Sequence, residues 1–459
     1  MNRRFLGAGV ILSIATWMIL NIIALTYITR YSTTYPLAID EWIHIIPRIV
    51  LWERQQLTFT ELISVPPNAP IDLHLYSFLL ILPNLIWFDW SMRVDGIINY
   101  LIASINALVV VYLLAKVWNR HWAWLGVPIL FIMLSIQQRY NFLVGVHKSL
   151  FVSIFFTVLA GMSLFHAPNK TTRSLLITLL ILFLGTFSSY VGWFSWVILT
   201  PFVWLVGYRK WQPLLLWSGV GIGTAWLLLQ IPGYSLDTNT EFYFADTTTS
   251  LLGSLGNYFW FFLAYLGGLF TSSPQSGLLL RAFLMAVMGV ILLVWNGLQL
   301  LRTQENAPLL QACAFLIGYS MLYGAAAAFG RADQFGVQQG LANHYLAFSA
   351  LFWCGVVALI LKNSLDKWRA SPQAPQAILL VNGLFLLLAM YYYALAGVES
   401  FQVGEAHRPF VRASEQCLVD LANPASDPRH ACFVVGGFVP AEDIREFAQF
   451  DLSGFSEGR

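Results

Sequence analysis

The stretch LGAGVILSIATWMILNIIALTYI, residues 6–28, contains no charged side chain and decides the fold of the chain. At about 1.5 Å per helical residue, it is long enough to cross the roughly 30 Å hydrocarbon core of a bilayer. Arg3 and Arg4 precede it, and no small-residue cleavage site follows Tyr27. We therefore expect a retained signal anchor whose two arginines stay in the cytoplasm.

The composition excludes a soluble globular protein. The 459 residues are 58% hydrophobic and only 10% charged, and the mean hydropathy is +0.66. A soluble fold of this length could not bury so much apolar surface. The net charge of +2, without a basic run, gives no indication of a nucleic-acid partner. We predict an all-α polytopic membrane protein that is surrounded by membrane lipids.

Apolar runs like the first recur along the whole chain. Two of them are doubtful as spans: 75–90 is short and carries Pro83 and Asn84, and 251–270 is rich in glycine. We predict a helical bundle of 11–13 transmembrane segments, and we favour eleven full spans plus two re-entrant or interfacial segments. The predicted runs are Leu6–Ile28, Leu75–Trp90, Ile97–Lys116, Trp122–Ile136, Ser149–His166, Leu175–Phe187, Val191–Gly207, Leu214–Ile231, Leu251–Phe270, Leu278–Leu300, Leu309–Ala328, Tyr345–Leu361 and Ala377–Ala396.

The positive charges between the spans favour eleven spans and predict the sidedness. With eleven spans, six cations of the middle loops lie on the cytoplasmic side, as the positive-inside rule requires. These six are Lys116, Arg120, Lys170, Arg173, Arg209 and Lys210. Either span count is odd, so we expect a cytoplasmic N-terminus and an external tail in a bacterial inner (plasma) membrane. The predicted units are a transmembrane module at 1–396, with a large first external loop at 31–74, and a small external segment at 397–459.

The first external loop is the densest polar interval of the chain. It contains YPLAIDEWIHIIPRIVLWERQQLTFTELISVPPNAPIDLH at residues 35–74. We predict a helix over Ile39–Gln55 that lies on the membrane surface and is kinked or delayed by Pro47. At 100° per residue, its polar face holds Asp40, Glu41, His44 and Arg48, and its apolar face holds Trp42, Ile45, Ile46, Ile49 and Val50. The alternative is an ordinary solvated face on which Asp40 caps the helix.

Two further external segments carry cations. Residues 137–148 hold Arg139, His147 and Lys148, which either bind phosphate or are cations at helix ends that extend to the interface. The predicted loop 329–344 holds Arg331 and His344, which we interpret as hydrogen-bond donors to phosphate or sugar. The alternative there is a simple pair between Arg331 and the nearby Asp333.

An ionisable cluster at the outer membrane surface suits a transferase of lipid-linked sugars. A carboxylate can take the proton of an acceptor hydroxyl, and cations can neutralise the phosphate that leaves. We interpret Asp40 as the base, with Glu41 second. The predicted substrate-binding residues are His44, Arg48, Asp72, His74, Arg139, His147, Lys148, Arg331 and His344.

The order of these features resembles the GT-C superfamily of integral membrane glycosyltransferases, which includes protein O-mannosyltransferases and aminoarabinose transferases. The likeness is strongest to bacterial members with Asp-Glu-Trp in the first loop. The residues that carry it are Asp40–Trp42, Pro66–His74, Tyr140–His147, Gly185–Trp193, and Gly330–Gly336 leading to Asn343–Tyr345. The resemblance implies an inverting transferase that uses a polyprenyl-phosphate sugar at the outer face, with Asp40 in the position of the base. The acceptor is a glycan, a lipid or a protein.

Two other functions stay open. A transporter or flippase is expected to carry ionisable residues within its spans, whereas the charge clusters in this sequence fall in loops. A polysaccharide polymerase or ligase would depend on a large late external loop. Because the chain has no metal-ligand pair, P-loop or hydrolase elbow, we predict no metal site and no cofactor.

The cysteines divide into two kinds. Cys313 and Cys354 lie inside apolar runs, and Cys417 and Cys432 lie in the polar tail. If the tail is in an oxidising compartment, the second pair is expected to form a disulfide. We therefore expect a small disulfide-braced cap over the external side of the bundle.

Overall fold

The described part of the chain is almost entirely helical. The computed structural model describes residues 3–65, 73, 75–118, 122–166, 171–189, 192–208, 210–234, 251–272, 276–302, 306–370, 376–423, 425, 427, 430–434, 437–450 and 452. The helices are α1 (Arg3–Tyr31), α2 (Ile39–His44), α3 (Ile46–Glu53), α4 (Phe59–Ile63), α5 (Leu75–Phe88), α6 (Met92–Trp118), α7 (Trp122–Met133), α8 (Arg139–Leu143), α9 (Lys148–His166), α10 (Thr172–Thr186), α11 (Phe194–Leu205), α12 (Trp211–Leu229), α13 (Leu251–Gly267), α14 (Ser276–Leu300), α15 (Ala307–Phe335), α16 (Asn343–Ala370), α17 (Gln376–Ala422) and α18 (Ala441–Ala448).

Eight helices of the described residues are long and apolar enough to cross a membrane. They cover Ala8–Tyr31, Met92–Trp118, Gly145–His166, Trp211–Leu229, Gly277–Leu300, Ala307–Phe335, Asn343–Trp368 and Ala377–Ala422. Shorter apolar helices occupy Leu75–Phe88, Thr172–Thr186 and Phe194–Leu205. The predicted class, an all-α polytopic membrane protein, is confirmed at this level, and the span count of 11–13 stays a prediction.

The bundle is built around α16. This helix is apolar on every side and is almost completely enclosed by the other helices, with Phe348, Leu351 and Phe352 fully buried. The helices α12 and α17 instead leave most of their apolar side chains exposed. A helix that is hydrophobic all round must be covered either by protein or by lipid. α16 therefore forms the core, and α12 and α17 form part of the outer wall.

Two helices extend well past the ends predicted for them. α15 continues from the predicted end at Ala328 to Phe335, and α17 continues from Ala396 to Ala422. The predicted ends lie where polar residues begin and hydropathy falls. The helical backbone hydrogen bonds continue past those points until a residue interrupts them. Gly336, with a φ of +77° that favours glycine, ends α15. Residues 329–335 of the predicted loop 329–344 therefore belong to α15, and position 397, the predicted start of the external segment, lies inside α17.

The tail forms a small unit after α17. Strand β1 (Ala431–Val434) pairs antiparallel with β2 (Gly437–Pro440), and α18 follows. A disulfide joins the two tail cysteines that were predicted to pair, Cys417 and Cys432. Their buried neighbours share one hydrophobic cluster with residues of α2, α3 and α5. The tail and the first loop therefore lie on the same side of the bundle.

Candidate functional site

The predicted helix over 39–55 is two short helices. The helix α2 begins after Ala38 and ends at His44, and α3 begins at Ile46 with Pro47 in its first turn. A proline is tolerated there because its missing N–H would have no helical partner. Asp40 lies inside the first turn of α2, so the interpretation of Asp40 as the helix cap is wrong. An acidic side chain in the first turn does favour the helix dipole.

The apolar face of these two helices packs against protein. Ile45 and Ile49 are fully buried in the cluster that joins the first loop to the tail. The ring of Trp42 meets Phe447 of α18 edge to face, with centroids 5.9 Å apart, and Trp90 meets the same ring at 5.7 Å. The expectation that this apolar face contacts lipid is wrong, because the tail covers it. The position of the two helices at the membrane surface stays a prediction.

Glu41 lies in the interior rather than on a solvated face. Its side chain is buried, and Oε1 accepts a hydrogen bond of 2.8 Å from the backbone N–H of Gly145. Its Oε2 accepts a longer one, 3.4 Å, from the backbone N–H of Ala38. Glu41 therefore reaches back to the start of its own helix and across to the loop before α9.

A buried ion pair lies next to this carboxylate. Lys148 Nζ is 2.7 Å from Asp95 Oδ2, and both side chains are fully buried. The same ammonium donates to the carbonyl of Gly145 at 3.0 Å, and Asn84 Nδ2 donates to Asp95 Oδ1 at 3.1 Å. Lys148 is therefore a counterion to Asp95, whereas the sequence predicted a phosphate ligand.

Gly145 is the point at which these groups meet. A Cβ on Gly145 would lie 2.1 Å from Asp95 Oδ2 and 3.1 Å from Glu41 Oε1. We call Glu41, Asp95, Gly145 and Lys148 the Gly145 junction. It joins α2, α6 and α9, and both charges of its ion pair lie in helices of membrane-spanning length. Asp95 is the fourth residue of α6 and Lys148 is the first residue of α9, so both charges lie at helix ends.

Asp40 faces a different set of groups from Glu41. It is half-buried, and burial raises the pKa of its carboxyl while the charge of Arg331 acts in the opposite direction. Burial, followed by the charges of Asp40 and Glu41, raises the pKa of the Tyr140 phenol, so that side chain stays neutral. Asp40 thus lies within electrostatic reach of Arg331, which is half-buried near the end of α15.

Two histidines lie beside this group. The ring of His147 is 5.3 Å from Tyr140 and 6.2 Å from His344, measured between centroids. Asn141 Nδ2 donates to the carbonyl of Asn343 at 2.8 Å and so ties α8 to the start of α16. Among the described residues, the buried Nδ1 of His147 has no hydrogen-bond partner. An unsatisfied buried nitrogen is costly unless another group binds to it.

Arg48 and His44, the other predicted site residues of the first helix pair, are buried and make different contacts. The Arg48 guanidinium donates to the backbone carbonyls of His44, Leu62 and Ser64. Burial lowers the pKa of Arg48 to about 10, which leaves it charged. Burial, and then the charge of Arg48, lower the pKa of His44 to about 3, so His44 is neutral. Neither side chain is arranged to neutralise a phosphate, because one holds the loop and the other carries no charge.

Arg139 is also engaged elsewhere. Its Nη1 donates to Ser400 Oγ at 2.9 Å and its Nη2 donates to the carbonyl of Ser272 at 2.6 Å. It therefore connects α8 to α17. Asp72 and His74 lie outside the described residues. The alternative pairing of Arg331 with Asp333 does not suit the helix, since residues two apart point to different faces, and Asp333 accepts from Asn257 Nδ2.

The structure thus brings together six of the predicted site residues. They are Asp40, Glu41, His147, Lys148, Arg331 and His344. The sequence interpretation missed Asp95, Gly145 and the Tyr140 side chain as parts of the site. Asp95 could have been found, because it is a lone carboxylate at the start of a long apolar run, where an ionisable residue indicates a specific role. Gly145 gave no signal of its own.

The comparisons with known proteins do not add a family. No family model, no curated protein and no solved structure matches the chain. Within the described residues, no group of three or more His, Cys, Asp or Glu side chains could hold a metal ion. The described side chains that meet at the site are a carboxylate, an arginine, a phenol and two imidazoles.

The ionisation of Glu41 is expected to make folding stability depend on pH. Burial is the main cause that raises the pKa of Glu41 from 4.5 to about 7, and the Asp95 carboxylate adds to it, while the Gly145 N–H and Lys148 oppose it. The folded protein binds this proton more tightly than the unfolded chain does. The contribution of Glu41 to stability therefore falls by about 3 kcal/mol as the pH rises from 4.5 through 7.

Unfolding of the purified protein at pH 5 and pH 8 measures this effect. The wild type should lose about 3 kcal/mol more than Glu41→Gln between the two values, because the amide does not titrate. The exposed Glu53→Gln variant is the matched control and should follow the wild type. Parallel pH curves for the wild type and Glu41→Gln would contradict the prediction.

Proposed function

We propose that the protein is a GT-C-like glycosyltransferase that moves a sugar from a polyprenyl-phosphate donor to an acceptor at the outer membrane face. One observation carries the proposal. Asp40, in the first loop, and Arg331, almost three hundred residues later, lie within electrostatic reach of one another. A base for the acceptor and a cation for the leaving phosphate are the two groups that this reaction needs.

The reaction assigns a separate role to each of these groups. Asp40 takes the proton of the acceptor hydroxyl while the hydroxyl oxygen forms a bond to the anomeric carbon of the sugar. The bond from that carbon to the phosphate oxygen breaks, and its electron pair leaves with the polyprenyl phosphate. Arg331 stabilises the charge that develops on this phosphate, as an arginine binds phosphate well. Attack opposite the leaving group inverts the anomeric centre.

His147 and His344 suit a supporting role at the phosphate. Their rings are in contact, and the Nδ1 of His147 is buried without a partner among the described residues. A phosphate or sugar oxygen at this position would satisfy that nitrogen. The two imidazoles would then orient the donor rather than neutralise it.

The structure favours Asp40 over Glu41 as the base. Both oxygens of Glu41 accept backbone hydrogen bonds, and its side chain is buried. Asp40 is half-buried and lies near Arg331 and Tyr140. Burial also raises its pKa above the usual range, which makes a carboxylate a stronger base.

The proposal places the site on the outer side of the membrane. Lys116 lies in the last turn of α6 and Lys210 directly precedes α12, and the positive-inside rule assigns such residues to the cytoplasm. With a cytoplasmic N-terminus, α1 delivers the first loop and the tail that packs on it to the periplasm or cell exterior. A disulfide in that tail suits an oxidising compartment.

A transporter or flippase is the second candidate. The observation that favours it is the buried pair Asp95–Lys148 in helices of membrane-spanning length, together with Arg281–Glu399 at 2.6 Å between α14 and α17. Ionisable groups at such positions often mark substrate pathways. In both pairs, however, the two charges neutralise each other, and neither pair includes Asp40 or Arg331.

The experiment uses purified full-length protein in vesicles with polyprenyl-phosphate hexoses and pentoses. A total membrane extract supplies the acceptor hydroxyl, and release of polyprenyl phosphate is measured, since this product is the same whichever acceptor reacts. Arg331→Met should lower release at least about 100-fold, because it removes a donor to the developing charge. The exposed Arg302→Met is the matched control and should keep wild-type activity. Movement of an intact lipid-linked substrate across the vesicle without release would instead support the transporter.

A further inference from the structure

The Gly145 junction holds three elements that are far apart in the chain. Glu41 lies in α2, Asp95 lies in α6, Lys148 is the first residue of α9, and Gly145 lies in the turn just before α9. The backbone N–H of Gly145 is hydrogen-bonded to Glu41, and its carbonyl is hydrogen-bonded to Lys148. One peptide segment therefore binds a carboxylate on one side and an ammonium on the other.

The junction is closed to solvent, and its ion pair is neutral as a whole. Glu41, Asp95 and Lys148 are all buried, and the ammonium at 2.7 Å from Asp95 compensates that carboxylate. Removing one member of such a pair leaves a buried charge without compensation, so the members support each other's positions. The missing side chain of Gly145 is needed as well, because a Cβ would overlap the Asp95 carboxylate.

The helix α2 depends on contacts of this kind. It has six residues, which is too short to be stable without tertiary support. Glu41 is the neighbour of Asp40 in this helix, and consecutive helical residues point about 100° apart. Holding Glu41 on Gly145 therefore determines the direction in which Asp40 points.

We propose that Glu41, Asp95 and Lys148 are positioning residues that fix α2 on Gly145 and thereby fix the direction in which the Asp40 side chain points. This inference rests on the proposed function for the role of Asp40. None of the three touches the reacting atoms. Lys148 therefore acts by placing Asp40 and not as a phosphate ligand. Glu41 likewise acts by placing Asp40 and not as a second base.

The test compares Gly145→Ala with Gly219→Ala in the full-length protein. Gly219 lies in α12 with no atom within 4 Å of an added Cβ, so its substitution is a matched control. Hydrogen exchange is followed at the amides of residues 39–53 and, for reference, in α16. For Gly145→Ala we expect exchange in 39–53 to rise at least about 10-fold, with α16 unchanged. We also expect kcat to fall about 100-fold, with KM within about twofold, because a small displacement of a reacting group has such an effect.

A second pair of variants keeps the test decisive if Gly145→Ala does not fold. Glu41→Gln keeps an oxygen for the Gly145 N–H and should retain slow exchange in 39–53, whereas Glu41→Ala should lose it. Equal exchange in Glu41→Ala and the wild type would overturn the positioning role, and so would a rise of the same size in α16. Exchange is measured without substrate. If the wild type releases no polyprenyl phosphate, the proposed function is refuted. The exchange measurement still tests whether the contact of Glu41 with Gly145 holds α2 in place.

Discussion

Replacing Asp40 by asparagine is expected to slow the release of polyprenyl phosphate about 10²–10⁴-fold, the usual contribution of a general base. Asparagine has nearly the same shape but cannot accept the proton of the acceptor hydroxyl. Asp40 is half-buried and lies in the first turn of α2, so an amide should be accommodated with little change in stability. The affinity for the donor should change much less than kcat, since Arg331 and the two histidines stay in place.

Two comparisons make this result specific. Glu53→Gln removes an exposed carboxylate at the end of α3 and should leave the rate unchanged. Glu41→Gln keeps its hydrogen bond to Gly145 and should lower the rate much less than Asp40→Asn does. Release that is unaffected by Asp40→Asn would rule out Asp40 as the base. A larger loss in Glu41→Gln than in Asp40→Asn would reverse the two assignments.

The second large effect is expected at Lys148. Replacing Lys148 by methionine should lower the free energy of unfolding by about 3–5 kcal/mol, because the fully buried Asp95 then lacks a counterion. The double variant Asp95→Asn/Lys148→Met removes both charges. It should be more stable than Lys148→Met alone, because no uncompensated charge remains and the asparagine can still bond to Asn84.

Equilibrium unfolding in detergent micelles gives the required double-mutant cycle. The control is Lys362→Met, which breaks a partly exposed i,i+4 pair with Asp366 and should cost only about 0.5 kcal/mol. If Lys148→Met costs no more than this control, the ion pair does not stabilise the fold. If the double variant loses the sum of the two single losses, Asp95 and Lys148 are not coupled.

The membrane class and several site residues could be predicted because they depend on local properties. Hydropathy adds up over a window of about twenty residues, so each long apolar run reports its own environment. The position of Pro47 indicated a break in the helix, and the structure has that break. The candidates Asp40, His147, Arg331 and His344 were chosen because polar residues are rare in this chain.

Burial of the polar face could not be predicted in the same way. The pattern of Glu41, His44 and Arg48 on one arc suits a solvated face as well as a buried one. The outcome depends on Gly145, Leu62 and other partners far along the chain. The same holds for Lys148, which looked like a free cation at a helix end until Asp95 was found beside it.

By itself, the sequence determined that this protein is a helical membrane protein with an ionisable first loop, because hydropathy and helical periodicity are properties of neighbouring residues. Only the tertiary structure decided which ionisable groups meet. It separated Asp40, near Arg331, from Glu41, on Gly145, although the two are adjacent in the chain. The physical reason is that burying a charge is costly unless a partner compensates it. The partners of these carboxylates come from α6, α9 and α15. No local sequence pattern specifies how those helices pack against the first loop.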